Sequence, residues 1–272
     1  MEARFSGWLI LFYMFLAIDI GNTDIVFGLH TGGNWLHQFR IPTHYSTRQA
    51  DYEARLRIFF LEKNLKISEV SSIGISSVVP GETALIRTMV AGLFGVEPFL
   101  VGPDIYPQLG MQIASPREIG TDLVANAVYA WHMYRQNCIV VDFGTALTFT
   151  VVSDARILGV NIVPGIKTAL RSLFSNTAQL PEVPLEMPAS AIGKNTVHAI
   201  QAGILWGYVG LVKEQLIRIQ DEAGPCKVLA TGGLSSVLKP LHELFQEVDI
   251  NLTLNGIRII GGILDGTIPG KH

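Results

Sequence analysis

The 272-residue sequence predicts an α/β fold built from two similar halves, each a mixed sheet flanked by helices. Three observations carry that expectation. Short apolar runs alternate with longer segments of helical period along nearly the whole chain. The 27 glycines fall mostly at the ends of apolar runs, as strand–turn–helix alternation requires. Two segments, LAIDIGNTDIVFGL and IVVDFGTALTFTVV, share one plan: an apolar strand, Asp-x-Gly, a hydroxyl or amide residue, then a second apolar strand. Asp142 follows Asp19 by 123 residues, close to half the chain, and such a repeat defines architecture.

The elements follow in order. Residues 15–20 and 24–30 read as strands joined by a tight polar turn, and 34–40 as a third strand. Residues 47–64 are amphipathic, with Tyr52, Leu56, Phe59 and Phe60 at helical spacing. Residues 73–77 form a short buried strand, 82–94 a helix and 98–101 a strand. A helix opened by a carboxylate spans 121–134, and an apolar strand spans 138–142. Residues 147–152 and 157–162 continue a sheet, and 167–175 and 195–223 are helices. A strand at 228–230 runs into Thr231-Gly232-Gly233, and a comparable run at 257–260 ends in another glycine pair. The predicted organisation is an extension over 1–13, an N-terminal half over 14–135 and a C-terminal half over 136–272.

Composition removes several function classes. Only 16% of residues are charged, against 49% hydrophobic, which excludes a disordered chain. Twenty Lys and Arg against 23 Asp and Glu leave a net charge of −3, with no basic surplus for nucleic acid. Seven His make no metal-spaced pair, and Cys138 and Cys226 are too few for a disulfide scaffold. Cys138 opens an apolar strand and reads as a buried thiol in a reducing compartment. The run Trp8 to Ile18 has 11 uncharged residues, where a spanning helix needs about 20. With Arg4 before it, the run imitates a signal peptide, but cleavage near Ala17 would remove most of the first strand. Met14 reads as the true start, and a cytoplasmic protein without a membrane partner is expected.

The repeated hairpin tips suggest chemistry. Glycine lets a backbone approach a ligand closely, and successive N–H groups in a turn make an anion-binding concavity. Asn22, Thr23 and Thr145 add side-chain donors. Asp19 and Asp142 would repel phosphate directly but suit a cation or water shell that bridges to it. Two such tips facing each other would hold a nucleotide triphosphate from both sides. Other phosphate motifs are missing. No G-x-x-x-x-G-K-[ST] occurs, since Gly193-Lys194 is followed by Asn195 and has Pro188 where the first Gly belongs. No G-x-G-x-x-G follows a strand. Asp142-Phe143-Gly144 spells D-F-G without H-R-D or a glycine-rich loop, which excludes a protein kinase.

Taken together, these residues resemble type III pantothenate kinases, of the actin-like/sugar-kinase ATPase superfamily with its ribonuclease H-like halves. The match runs from about Phe15 to Gly262. Asp19-Ile20-Gly21-Asn22-Thr23 resembles the first phosphate motif. Gly120-Thr121-Asp122 resembles the catalytic Gly-x-Asp motif. Asp142-Phe143-Gly144-Thr145-Ala146 with Thr148 resembles the second phosphate and cation motif. Ile162-Val163-Pro164-Gly165, then Leu170, Leu173, Thr177-Ala178 and Leu180-Pro181, resembles the loop and helix that follow. Ile192-Gly193-Lys194-Asn195-Thr196 and Ala199-Ile200-Gln201-Ala202-Gly203 resemble the substrate-side helix, and Thr231-Gly232-Gly233 the adenosine loop.

The resemblance implies transfer of the ATP γ-phosphoryl to pantothenate, the entry step to coenzyme A. It makes Asp122 the general base and Asp142 the ligand of a monovalent cation, potassium or ammonium, with magnesium accompanying the nucleotide. ATP contacts are expected from Asp19, Ile20, Gly21, Asn22, Thr23, Asp24, Ile25 and Val26, from Gly144 and Thr145, and from Gly232 and Gly233. Pantothenate contacts are expected from Gly120, Thr121, Asp122, Leu123 and Thr196. For Asp122 and Thr196 the competing role is a helix N-cap, and at Thr196 Asn195 competes for that cap. The helix over 195–218 carries Gly203, Gly207 and Gly210, and a homodimer is expected.

Three positions depart from the family pattern. Leu123 stands where the family continues with Arg, Ile113 where it often has Tyr, and Gly159-Val160 where it has Gly-Gly. All three lie toward the acceptor. Two alternatives therefore stand beside pantothenate phosphorylation: a kinase of this superfamily for another small hydroxylated acceptor, and an ATP-binding regulator without turnover.

Overall fold

The computed structural model describes residues 14–176, 180–235 and 237–270. The proposed extension over 1–13, the apolar run from Trp8 and the matched pair Thr177-Ala178 lie outside these residues. The chain divides into two compact units after Leu100.

The first unit is a five-stranded sheet with two helices. Its strands are β1 (Met14–Ile20), β2 (Asp24–Thr31), β3 (Asn34–Pro42), β4 (Val70–Ser77) and β5 (Phe99–Leu100), and its helices are α1 (Gln49–Glu62) and α2 (Pro80–Phe94). The sheet order is β3-β2-β1-β4-β5, with β1, β2 and β3 antiparallel in turn and β4 parallel to β1. The β2–β3 turn places Gly32 and Gly33 at φ +57° and +90°, the left-handed region a two-residue hairpin demands. Tyr52, Leu56, Phe59 and Phe60 line one side of α1 and are buried with Ile18, Ile25, Phe27 and Met89. Burying a side chain such as Phe60 contributes about 2–3 kcal/mol. Pro80 opens α2, where its missing N–H has no helical partner to lose, and left-handed Gly95 closes it by donating to the Ala91 carbonyl at 3.0 Å.

The second unit repeats this plan. In chain order it holds β6 (Gln112–Ile113), α3 (Thr121–Tyr134), β7 (Cys138–Phe143), β8 (Ala146–Ser153), β9 (Arg156–Pro164) and α4 (Ile166–Ser175). Then come α5 (Thr196–Gln201), a π-helical segment Ala202–Trp206, α6 (Gly207–Ala223), β10 (Lys227–Thr231), β11 (Glu247–Val248) and α7 (Leu252–Leu264). The sheet order is β11-β10-β7-β8-β9-β6. Its first five strands reproduce the first unit, with β7, β8 and β9 in the places of β1, β2 and β3, and β10 parallel to β7. Ile139, Val141 and Phe143 face one way, into a core with Val209, Val212 and Leu216. The alternate residues of β7 face α3: the Asn126 amide meets Asp142, and the Cys138 thiol meets the Ala130 carbonyl.

Three differences from the sequence reading follow from packing. The run at 257–260 is the interior of α7, not a strand. Its β-branched residues are buried because α7 lies against α3, where a Cβ on Gly256 would stand 2.1 Å from the Ala125 carbonyl oxygen. The helix placed over 195–223 is interrupted by the π-helical turn. Helix α3 belongs with the second unit by its contacts with α7, β7 and β8, so the division falls after Leu100 and not at 135.

Candidate active site

At the first hairpin, Asp19 pairs with Val26 and Ile20 with Ile25. The turn closes where the Gly21 N–H donates to the Asp24 carbonyl at 3.0 Å, leaving Asn22 and Thr23 exposed at the tip. The turn is braced by the residue that follows β3: Thr43 donates its hydroxyl to the Gly21 carbonyl at 2.6 Å and its N–H to the Thr23 carbonyl at 2.9 Å. Next to it, His44 Nδ1 lies 2.8 Å from Oε1 of the buried Glu82, whose other oxygen accepts from the Tyr52 hydroxyl. Ile20 and Ile25 are fully buried, so only their backbone groups can meet a ligand. The Asp24 carboxylate accepts from Arg40 Nη1 at 3.0 Å.

At the second hairpin, Asp142 pairs with Thr148 and Phe143 with Leu147, leaving Gly144 and Thr145 exposed at the tip. Two glycines allow the chain to close around it. A Cβ on Gly165 would stand 2.3 Å from the Gly144 carbonyl oxygen. Gly232, at φ +88°, packs so that a Cβ would stand 2.7 Å from Asp142 Oδ1. Gly232 and Asp142 thus come together in the structure, and Gly233 is exposed beside them.

Asp122 sits in the first turn of α3, but Gly120 holds the N-cap position, so the carboxylate is not the cap. Burial pushes its pKa up, opposed by hydrogen bonds from the N–H groups of Leu123 and of Asp122 itself. Asn126, one turn further along α3, donates to Asp142 Oδ2 at 3.3 Å and accepts from the Thr253 hydroxyl at 2.8 Å. Asp142 is pushed up to about 7, chiefly by burial, then by the Asp122 charge, with the Asn126 bond opposing. Two carboxylates thus share a weakly solvated site, and both hold their protons more tightly than free carboxylates do. The Tyr106 hydroxyl is buried without a partner among the described residues, and burial and the Asp122 charge raise its pKa to about 12.

Asn126 and Thr253 were not among the expected site residues. A lone amide inside the apolar run of α3, one helical turn from Asp122, was the available signal for Asn126. Thr253 carries no such signal, because nothing within its segment marks a helix docked on α3. Asn195 caps α5 by accepting from the His198 N–H at 2.9 Å, which leaves the Thr196 side chain exposed. Thr196 lines an open hollow of about 600 Å³ with Lys194, Leu173, Leu180, Ile200 and Ile204. Thr121 and Gly120 are partly exposed at the start of α3, whereas Leu123 is buried at 7%.

The oxygen donors around Asp142 suit a hard cation. Asp142 offers a carboxylate, and the Thr148 hydroxyl opposite it is buried without a partner among the described residues. Among the described residues no cluster of three His, Cys, Asp or Glu would hold a transition metal.

Two sheets of one topology, each with an Asp-bearing Gly-rich tip, define the class as an actin-like ATPase fold. The solved structures agree on the fold. A chain described as a Baf family transcriptional activator from Campylobacter jejuni matches with a TM-score of 0.57 and 18% identity, covering 93% of this chain and 100% of that one. MreB 5 of Spiroplasma citri bound to AMPPNP matches with a TM-score of 0.52 and 8% identity, covering 94% and 98%. Sequence narrows the class. The family model described as type III pantothenate kinase matches residues 15–218. The type III pantothenate kinase of Myxococcus xanthus (strain DK1622) is 39% identical over 251 residues, 92% of this chain and 98% of that protein. The chain belongs to the type III pantothenate kinase family.

Proposed function

We propose that this chain phosphorylates pantothenate with ATP in coenzyme A biosynthesis, using Asp122 as the general base. The supporting observation is the buried carboxylate in the first turn of α3, with its raised pKa. As the primary hydroxyl attacks the γ-phosphorus, an O–P bond forms and the bond to the β-phosphate bridging oxygen breaks. ADP leaves with the electron pair, and the hydroxyl proton passes to Asp122. A base whose pKa lies nearer neutrality accepts that proton more readily. The remaining work is positioning and neutralisation of charge.

Asn22 and Thr23 at one tip and Gly144 and Thr145 at the other donate to phosphate oxygens. The backbone between Asp19 and Val26 adds N–H groups, and the turn at Gly232 and Gly233 lets adenosine lie close to the chain. Asp142 and the Thr148 hydroxyl would hold a monovalent cation, and magnesium would come with the nucleotide; both would supply positive charge that offsets the phosphates. Gly120, Thr121 and Thr196 contact pantothenate. Leu123 is turned into the core, so the acceptor's polar groups are met by other residues. The protein acts as a cytoplasmic homodimer. Gly203, Gly207, Gly210 and the 53%-exposed Ile217 present small and apolar groups on the outside of the long helix, which favours close approach of a second helix. Among the described residues no helix is long and apolar enough to cross a membrane.

The test is mass spectrometry of the product from ATP, magnesium, potassium and pantothenate, beside a panel of other alcohols and sugars. Phosphopantothenate is the expected product. Phosphorylation of another acceptor in its place, or ATP binding without product, refutes the reading.

A further inference from the structure

The first phosphate turn has no cation of its own. From Asp19 to Val26 the sequence holds two carboxylates and no Lys or Arg. Backbone N–H groups and hydroxyls alone would face a ligand with several negative charges.

Strand register supplies the missing group. Asp19 pairs with Val26, and Val26 pairs with Arg40, so these three side chains leave the same face of the sheet. Asp24 lies two residues from Val26 and shares that face, while Ile25, Phe27 and Ile41 fill the core on the other. The Arg40 guanidinium reaches along β2 toward the turn, where Nη1 donates to Asp24 Oδ2 at 3.0 Å. Asp24 itself closes the turn by accepting the Gly21 N–H.

We propose that Arg40 is a phosphate-binding residue of this site, held beside the Gly21–Asp24 turn by the Asp24 carboxylate and recruited by the β- and γ-phosphates of a nucleoside triphosphate. The inference rests on the nucleotide reading of the turn given above. A guanidinium presents five N–H groups in a planar fork. Asp24 takes one nitrogen, and the rest of the fork matches the spacing of phosphate oxygens. Arg40 is 61% exposed and Asp24 31%, so their bond is a weak surface pair that yields readily to a better acceptor. Asp24, placed among the ATP contacts by sequence, thereby acts through Arg40: it is a positioning residue, not a phosphate ligand.

Calorimetric titration of the full chain with ATP and magnesium, and separately with adenosine, tests this. Arg40→Met is expected to weaken ATP binding about tenfold, the size of one charge-assisted hydrogen bond, and to leave adenosine binding unchanged. Arg40→Lys is expected to recover part of the loss, since it restores the charge without the fork. Equal losses for ATP and adenosine mean a merely structural role and overturn the proposal. Unchanged ATP binding in Arg40→Met overturns it too, and leaves the nucleotide site standing if the wild-type chain binds ATP. If the wild-type chain binds neither ligand, the nucleotide reading falls and the proposal with it.

Discussion

The two Asp-x-Gly hairpins share a scaffold and differ in what surrounds the aspartate. In both, a central strand pairs antiparallel with its successor and parallel with a later strand. Asp19 faces Val26 across its hairpin, with Arg40 next in register. Asp142 faces Thr148, lies under Asn126 of α3, and feels a second carboxylate, Asp122. A duplicated topology therefore provides the same place for an acid twice. Residues outside the hairpin decide its use: a cation beside the first tip favours anion binding, and a like charge beside the second raises proton affinity.

The largest expected effect tests the second hairpin's neighbour. Asp122→Asn removes the proton acceptor but keeps the shape, and should lower kcat by about 10²–10⁴-fold. ATP binding and the far-UV circular dichroism spectrum should not change. An unchanged rate of phosphopantothenate formation would remove Asp122 from its role. Because burial raises its pKa, activity of the wild type should climb as pH rises through that raised value, the carboxylate being the active form.

The pH dependence of stability separates the two aspartates next. Asp142 rises from 3.8 to about 7 on folding, so the folded state binds its proton more tightly. The stabilisation is complete below the ordinary carboxylate range and is lost as pH climbs toward the raised value. In potassium-free buffer, Asp142→Asn should gain on the wild type by something on the order of 1–4 kcal/mol between about pH 4 and neutrality. Urea titrations across that range check the difference, and a gap that does not widen with pH contradicts it.

Packing at the tips gives a smaller contrast. A Cβ on Gly165 would meet the Gly144 and Thr145 carbonyl oxygens at 2.3 and 2.6 Å, whereas one on Gly21 would lie 3.2 Å from the Asp24 carbonyl. Gly165→Ala should cost about 1–3 kcal/mol and Gly21→Ala less, measured by thermal denaturation. The reverse order would mean that the second tip gives way more easily than the first. Smallest is Thr43→Val, which removes the hydroxyl bond that braces the first turn and should cost about 1 kcal/mol by urea titration.

Local pattern carried most of the fold. Helix α3 keeps the predicted bounds Thr121–Tyr134, because its apolar period and its flanking turns act within the segment. The hairpins were legible because their Asp-x-Gly turns repeat. Failures came where a distant surface decides. The Ile-rich run of α7 is helical because it docks on α3 through Gly256, and nothing within the run shows that partner. In the candidate site, Asp19, Asp122 and Asp142 stood out as carboxylates at element ends. Asn126 and Thr253 did not, since their importance lies in a three-residue relay that spans 127 residues of sequence. Thr196 was open between two roles, and the Asn195 cap removed one of them.

The contact between Gly256 and Ala125 constrains what descent can do to this gene. Every other amino acid carries a Cβ, and at 256 that atom would land on the backbone of the helix that bears Asp122. No single-nucleotide change of a glycine codon that alters the residue avoids it. In a saturation library selected for activity, position 256 should return only glycine, although glycine itself offers no reacting group: the requirement is steric.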